Sequence, residues 1–377
     1  MAHHYGLFCA QYRPHVGGVE IYTQNLAREL VAAGNDVAVI TSKLDASASH
    51  EVQDDGVEVF RLPCHALMDG RLPISKRSRE YRQELRGIAE LGIDRVLVNT
   101  RFYRHSLEGL RFARNTGVPA VVLDHGSAYL VLGNPAADAA LRIYEHGMTW
   151  AGRRFDPTYA GVSTASVRWL NTFGIQAKTV IPNAIDARAF RNDASSRNFR
   201  DELDIRPAQT LVVFVGRLAP EKGIMQLVEA ARLLGPDFAF VCAGDGALRD
   251  KIFSQGLRNV HLLGVLNRGD LSALHSQGDI FCLPSRSEGF CTSLLEAGAW
   301  GLTPVMTHVG GVDEVMGDPV RFGRVLPNGN PLTIAGALSE LVQSGVHGLD
   351  DAFARKVEQE HSWAESARAL ESCFGSC

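Results

Sequence analysis

The chain has 377 residues, too many for one ordinary core, so two domains are expected. Its 45% apolar and 21% charged content is that of a globular protein and excludes a disordered or fibrous chain. A net charge of −4 gives no bulk attraction to nucleic acid, and no apolar run reaches the length of a membrane span.

In chain order, "YGLFCA" reads as a strand, "GVEIYTQNLARELVAAG" as a helix closed by Gly34, and "DVAVIT" as the next strand. "VEVFRLP", a helix near 76–91, the strand "RVLVNT", a helix near 105–116 and the strand "AVVLDHG" follow. The strand "YAGVS" and a helix near 164–173 end this half. The alternation then restarts with strand "LVVFVG", a helix near 223–234, strand "FAFVCAG" and a helix near 247–256. Strand "VHLLG", a helix from Asp270, strand "DIFCLP", a helix over 292–300 and strand "TPVMT" complete it. Such alternation gives parallel sheets covered by helices on both faces. Two runs joined around "VIPNAIDARAFRND" imply two Rossmann-like domains, with ligands at the carboxyl ends of strands and the cleft between domains as the expected site.

The seven cysteines are odd in number and form no CxxC, and several sit in apolar runs. That pattern implies reduced, buried thiols and a cytoplasmic protein. The opening "MAHHYGLFCAQYRP" has no basic leader followed by an apolar stretch, so no signal peptide is expected.

Several places carry candidate chemistry. "GRLAPEKG" follows a strand and offers Arg217 and Lys222, a guanidinium fork and an ammonium that together would neutralise a diphosphate. The other reading is an ordinary polar loop closed by Gly223. "EGFCTSLLEAG" opens a helix with Thr292 or Ser293 as N-cap, and its free amides favour a phosphate. Glu288 and Glu296 flank that start, which suits a ligand with hydroxyls on both sides of a diphosphate; two solvated acids are the alternative. "PHVGGVEIY" places Gly17 and Gly18 between the first strand and its helix, either for close approach to a phosphate or sugar or as a tight turn. "GDG" at 244–246 is equally open. His125, at a strand's carboxyl end, either bonds a sugar hydroxyl or is structural. No Asp-x-Asp, HxxxH or HExxH occurs, so no metal is expected. Residues 76–91 put Tyr81, Leu85 and Ile88 on one stripe among Lys76, Arg77, Arg79, Arg82 and Arg86. Packing of that stripe on the chain's own sheet is favoured over contact with anionic lipid or a phosphorylated acceptor.

"GGVE", "GRLAPEKG", "PSRSEGFCTSLLEAGAWG" and "VGGVDEV", in this order, resemble the retaining glycosyltransferases of family 4, and "VIPNAID" resembles their inter-domain segment. The resemblance covers nearly the whole chain. It implies an α/β, GT-B fold of two Rossmann-like domains facing across a deep cleft. Residues 1–180 would be the acceptor domain, joined by a C-terminal helix at about 361–377, and 181–360 the donor domain. It further implies that Arg217 and Lys222 hold the donor diphosphate, Glu296 the ribose hydroxyls and Glu288 the transferred sugar. Phe290, Cys291 and Thr292 would line the donor site, Gly17 and Gly18 the diphosphate, and His125 would sit near the donor sugar. The implied reaction is metal-free sugar transfer, with retention, from a UDP- or GDP-sugar to a glycan or lipid-linked glycan, without a cofactor. It would take place in the cytoplasm or at the inner membrane face. A sugar-nucleotide 2-epimerase of the same fold and a nucleotide-sugar sensor are the alternatives. Ala184, Cys291 and Trp300 depart from the family's usual residues.

Overall fold

A computed structural model describes residues 2–15, 17–67, 70, 72–130 and 133–375. The chain divides into two compact units, Met1–Asn183 with Trp363–Cys377, and Ala184–Ser362. The break falls at Asn183–Ala184, inside the linker read from sequence and a few residues past the expected 180.

The first unit runs β1 (His4–Phe8), α1 (Gly18–Ala32), β2 (Asp36–Lys43), β3 (His50–Val52), β4 (Glu58–Leu67), β5 (Leu72–Ser75) and α2 (Arg79–Glu90). It continues with β6 (Arg95–Asn99), α3 (Arg104–Thr116), β7 (Ala120–Asp124), α4 (Pro135–Arg153), β8 (Thr158–Gly161), α5 (Thr164–Leu170) and β9 (Thr179–Val180). Among the described residues its sheet follows the order β3-β4-β2-β1-β6-β7-β8-β9, with β5 on β4. All pairs are parallel except β3 and β5 on β4. The central strands are buried on both faces: Tyr5, Leu7, Phe8, Val96, Leu97 and Val98 are closed to solvent. Such continuous apolar runs suit a helix-covered parallel sheet.

The second unit contains α6 (Ala187–Asn192), α7 (Phe199–Glu202), β10 (Thr210–Val215), α8 (Ile224–Leu234), β11 (Phe238–Ala243), α9 (Arg249–Phe253), β12 (Val260–Gly264) and α10 (Arg268–Gln277). Then come β13 (Ile280–Leu283), α11 (Thr292–Ala299), β14 (Thr303–Thr307), α12 (Val312–Met316), α13 (Pro319–Phe322), β15 (Arg324–Leu326), α14 (Pro331–Gln343) and α15 (Asp351–Glu360). Its sheet is wholly parallel, in the order β12-β11-β10-β13-β14-β15. This is the doubly wound order, and it reverses direction between β10 and β13. The last helix, α16 (Trp363–Gly375), returns to the first unit and packs on α1, as the C-terminal segment was expected to do.

The sequence pattern names no helix between "AVVLDHG" and "YAGVS", yet α4 spans 19 residues there. Its outward face carries Ile143 and Trp150 and its inward face buries Glu145 and Thr149, so no clean apolar stripe marks it. The expected basic helix at 76–91 is shorter than read, because Ser78 caps it at the Tyr81 amide. Tyr81 and Ile88 are buried in the unit's own core and Leu85 packs against it. The favoured reading of that stripe holds.

Candidate functional site

The second unit's site grows from the end of β10. Behind Arg217, residues Pro220–Lys222 form a single tight turn closed by Gly223 in the left-handed region at φ 70°. A Cβ on Gly223 would lie 2.1 Å from the carbonyl oxygen of Pro284, directly after β13. Glycine is required both for the φ and for this approach. The Arg286 amide then donates to the Glu221 carbonyl at 2.8 Å, tying the two strand ends together. These are the strands flanking the reversal in sheet order, where doubly wound sheets bind ligands.

There the Lys222 ammonium donates to both oxygens of Glu288, at 2.6 and 2.8 Å, and the Ser285 hydroxyl donates to Glu288 Oε1 at 2.8 Å. Both ionic side chains are largely buried, with 18% and 10% exposed. Arg217 is different: it is 71% exposed and bonds Glu221 at 2.8 Å. Each cation read from the sequence has a carboxylate partner, and the two pairs are neutral together. The partner of Lys222 lies 66 residues away, so no local reading of "GRLAPEKG" could find it.

The loop carrying Glu288 is clamped from β14. The Gly310 amide donates to the Glu288 carbonyl at 3.2 Å, and the Cys291 amide donates to the Gly310 carbonyl at 3.1 Å. A Cβ on Gly310 would lie 2.3 Å from Gly289 O, and one on Gly311 would lie 3.0 Å from the Phe290 ring. This support role of the glycine pair in "VGGVDEV" was missed, although a double glycine between strand and helix was its signal. Cys291, not Thr292 or Ser293, is the N-cap of α11, and its side chain makes no capping hydrogen bond. Thr292 is the first helical residue and is exposed, while burial pushes the Cys291 thiol up to about 12. "GDG" proves to be packing: a Cβ on Gly244 would lie 2.0 Å from Gly216 O, and the Leu218 amide donates to Asp245 O.

Glu296 stands in the second turn of α11 with 28% of its side chain exposed. Its carboxylate lies 4.0 Å from the His275 ring, and Lys222 and Arg217 are paired elsewhere. Burial pushes the Glu296 carboxyl up to about 7, with Arg268 pulling the other way and the open edge tempering the shift. His275 is fully buried with neither ring nitrogen hydrogen-bonded, and burial pulls it down to about 3, so it is neutral.

The first unit's candidates also gather at a switch point, between β1 and β6. Gly17 is the extended N-cap of α1 and Gly18 its first residue. The Glu20 carboxylate folds back over this start, where a Cβ on Gly17 would lie 2.3 Å from Glu20 Oε2. His15 faces the same carboxylate at 3.6 Å, and burial pushes the Glu20 carboxyl above the usual range. The space at Gly18 is open, and a Cβ added there would meet nothing within 4 Å. His125, just after β7, donates from Nε2 to Asn99 Oδ1 at 2.8 Å and meets the Tyr22 ring edge at 4.9 Å. Burial pulls its pKa to about 3, so it stays neutral with Nδ1 as a hydrogen-bond acceptor. Asn99 Nδ2 and the Tyr22 hydroxyl are buried without a partner. Behind them Arg101 bonds Asp124 at 2.8 Å and Glu145 at 2.7 Å, all three nearly closed to solvent. This network was also missed, because its members come from three separate elements.

Two family models match the chain: "Glycosyltransferase Family 4" over residues 16–189 and "Glycosyl transferases group 1" over 195–369. The chain belongs to glycosyltransferase family 4. It is 26% identical over 381 residues to a phosphatidylinositol N-acetylglucosaminyltransferase subunit from Arabidopsis thaliana, covering 96% of this chain and 79% of that one. It is 27% identical over 372 residues to a GDP-mannose-dependent alpha-mannosyltransferase of Mycobacterium tuberculosis, covering 94% and 88%. Among solved structures, Anabaena HepE in complex with UDP superposes with a TM-score of 0.71 at 17% identity over the full length of both chains. The fold of this glycosyltransferase is therefore GT-B, and the epimerase and sensor readings give way.

Proposed function

We propose that this glycosyltransferase moves a sugar from a nucleoside diphosphate sugar to a hydroxyl of a glycan or lipid-linked glycan, with retention and without a metal. The observation that carries this reading is the Lys222–Glu288 pair at the β10/β13 switch point, beside the start of α11, where the Cys291 side chain makes no capping hydrogen bond. A pyrophosphate arriving there competes with Glu288 for the ammonium and takes the α11 amides as further donors. Glu288, released in part, is then positioned to accept from a sugar hydroxyl. Arg217, already exposed, exchanges Glu221 for phosphate oxygens at small cost.

In the transfer step the bond from the anomeric carbon to the phosphate oxygen breaks, and its electron pair leaves with the diphosphate. The acceptor oxygen bonds that carbon on the same face, and its proton passes to the departing phosphate oxygen. Lys222, Arg217 and the helix start stabilise the charge that develops on the leaving group. Glu288 has two donors of its own, which fits a binding role better than that of a covalent nucleophile. Glu296 would take the ribose hydroxyls, and His125 Nδ1 a hydroxyl of the sugar.

The UDP held in the HepE complex and the GDP-mannose in the name of the mycobacterial relative support a UDP- or GDP-sugar donor. The phosphatidylinositol in the plant relative's name supports a lipid-linked acceptor. None of the six described cysteines forms a disulfide, which supports a cytoplasmic site of action.

A melting screen against UDP-, GDP- and ADP-sugars tests the donor, because specific binding raises apparent stability by mass action. One class should raise the melting temperature, and proton NMR of the product should show the donor's anomeric configuration. Release of only free epimerised nucleotide sugar, or an inverted product, would refute the reading.

A further inference from the structure

We propose that the outward face of α4 is a docking face for an anionic lipid bilayer. The helix is firmly built: Asn134 caps it by accepting from the Ala136 and Ala137 amides, and Pro135 occupies its first position. Its inward face buries Glu145, Thr149 and Gly152. Its outward face is apolar where a surface helix is ordinarily polar. Ile143 is 76% exposed and Trp150 57% exposed. They stand two turns apart on one stripe, with exposed Ala136, Ala140 and Gly147 at the helical spacings between and before them.

Charge selects the occupant. Arg154 is exposed on this stripe just beyond the helix, and Arg114 of α3 lies 4.4 Å from the Phe155 ring at its end. Arg142 and Arg153 flank it, Arg142 at 5.0 Å from the Tyr129 ring centroid and Arg153 donating to the Phe173 carbonyl. Of the helix's acids, Glu145 is turned inward onto Arg101, leaving Asp138 in the first turn. Asp156 follows the helix. The face is cationic at the end that carries its tryptophan. The Arg154 guanidinium sits 3.5 Å from the Trp150 ring centroid. That pairs an apolar plate with a phosphate-seeking head in one place, the combination that suits the boundary between acyl chains and anionic headgroups. The basic helix α2 offers no such apolar stripe, because Tyr81 and Ile88 are buried in the core. The proposal gives the lipid-linked acceptor reading a surface to work from, but its test needs no acceptor.

The test is co-sedimentation of the full chain with vesicles of phosphatidylcholine alone, or of phosphatidylcholine mixed with phosphatidylglycerol. The chain should sediment with the mixed vesicles and far less with the neutral ones. Each cation near the surface contributes roughly fivefold, so added salt should weaken binding. The double variant Ile143→Ser/Trp150→Ser should lose binding by on the order of tenfold or more, and Arg79→Glu/Arg82→Glu on α2 should not. Melting temperature and nucleoside diphosphate binding, measured on the same samples, should be unchanged in both variants, which separates this face from the donor site. Failure of the wild-type chain to sediment with mixed vesicles would overturn the proposal, as would equal sedimentation of the stripe variant. A concentration-dependent dimer that the same substitutions dissolve would assign the face to a second copy and overturn it too.

Discussion

The two switch points differ in their electrostatics. In the second unit, Lys222 and Glu288 form an ion pair that is mostly shielded from water, beside the exposed Arg217–Glu221 pair. In the first, His125, Asn99 and Tyr22 are neutral, with polar atoms of Asn99 and Tyr22 left unpartnered. A charged, exchangeable pair suits a doubly charged leaving group, whereas a neutral histidine of fixed tautomer suits a sugar hydroxyl. The difference also matters for legibility, since charge is visible in a short stretch of sequence and a neutral hydrogen-bond pair is not.

The largest expected effect breaks the charged side. Lys222→Ala should lower turnover about a hundredfold, equivalent to about 2.7 kcal/mol of transition-state stabilisation, in steady-state transfer assays. Glu288 then loses its partner in a shielded place, so melting should fall as well. Restoring stability with Lys222→Met/Glu288→Gln should not restore turnover. Next comes the turn that delivers the ammonium. Gly223→Ala meets both a left-handed φ and a carbonyl 2.1 Å away, and should cost about 2 kcal/mol by denaturant unfolding.

On the neutral side, Asn99→Asp places a carboxylate against the His125 ring. Opposite charge favours the protonated imidazole, so its pKa should climb from about 3 by roughly a unit or more, read by NMR of labelled histidine. No change would mean that Asn99 does not hold the ring. Glu296 gives the mildest test. Its folded carboxyl is raised to about 7 from 4.5, so the fold favours the protonated form. Stability from this group is present below about 4.5 and is lost as pH rises toward 7. Donor affinity should move the opposite way, strengthening up to about tenfold per unit as the carboxylate forms, then levelling above 7. Glu296→Gln should flatten both profiles.

Much of the architecture was legible because doubly wound units advertise themselves through buried β-branched strands, as in "LVVFVG" and "AVVLD". The α4 helix escaped because its outer face keeps Ile143 and Trp150, which blurs helical amphipathicity. Within the site, the cations and both glutamates could be read from local runs. Their pairing could not, because Lys222 finds Glu288 across 66 residues and His125 finds Asn99 across 26. The seat of Glu20 against Gly17 was equally hidden, since it depends on a side chain folding back over its own helix start.

The central claim is that Arg217 and Lys222 grip the pyrophosphate of a sugar donor. Calorimetric titration of the wild-type chain and of Arg217→Ala/Lys222→Ala with a nucleoside diphosphate and with the matching nucleoside tests it most directly. The wild-type chain should prefer the diphosphate by on the order of a hundredfold, and the double variant should show little preference while binding the nucleoside as before. An undiminished preference in the double variant would contradict the account.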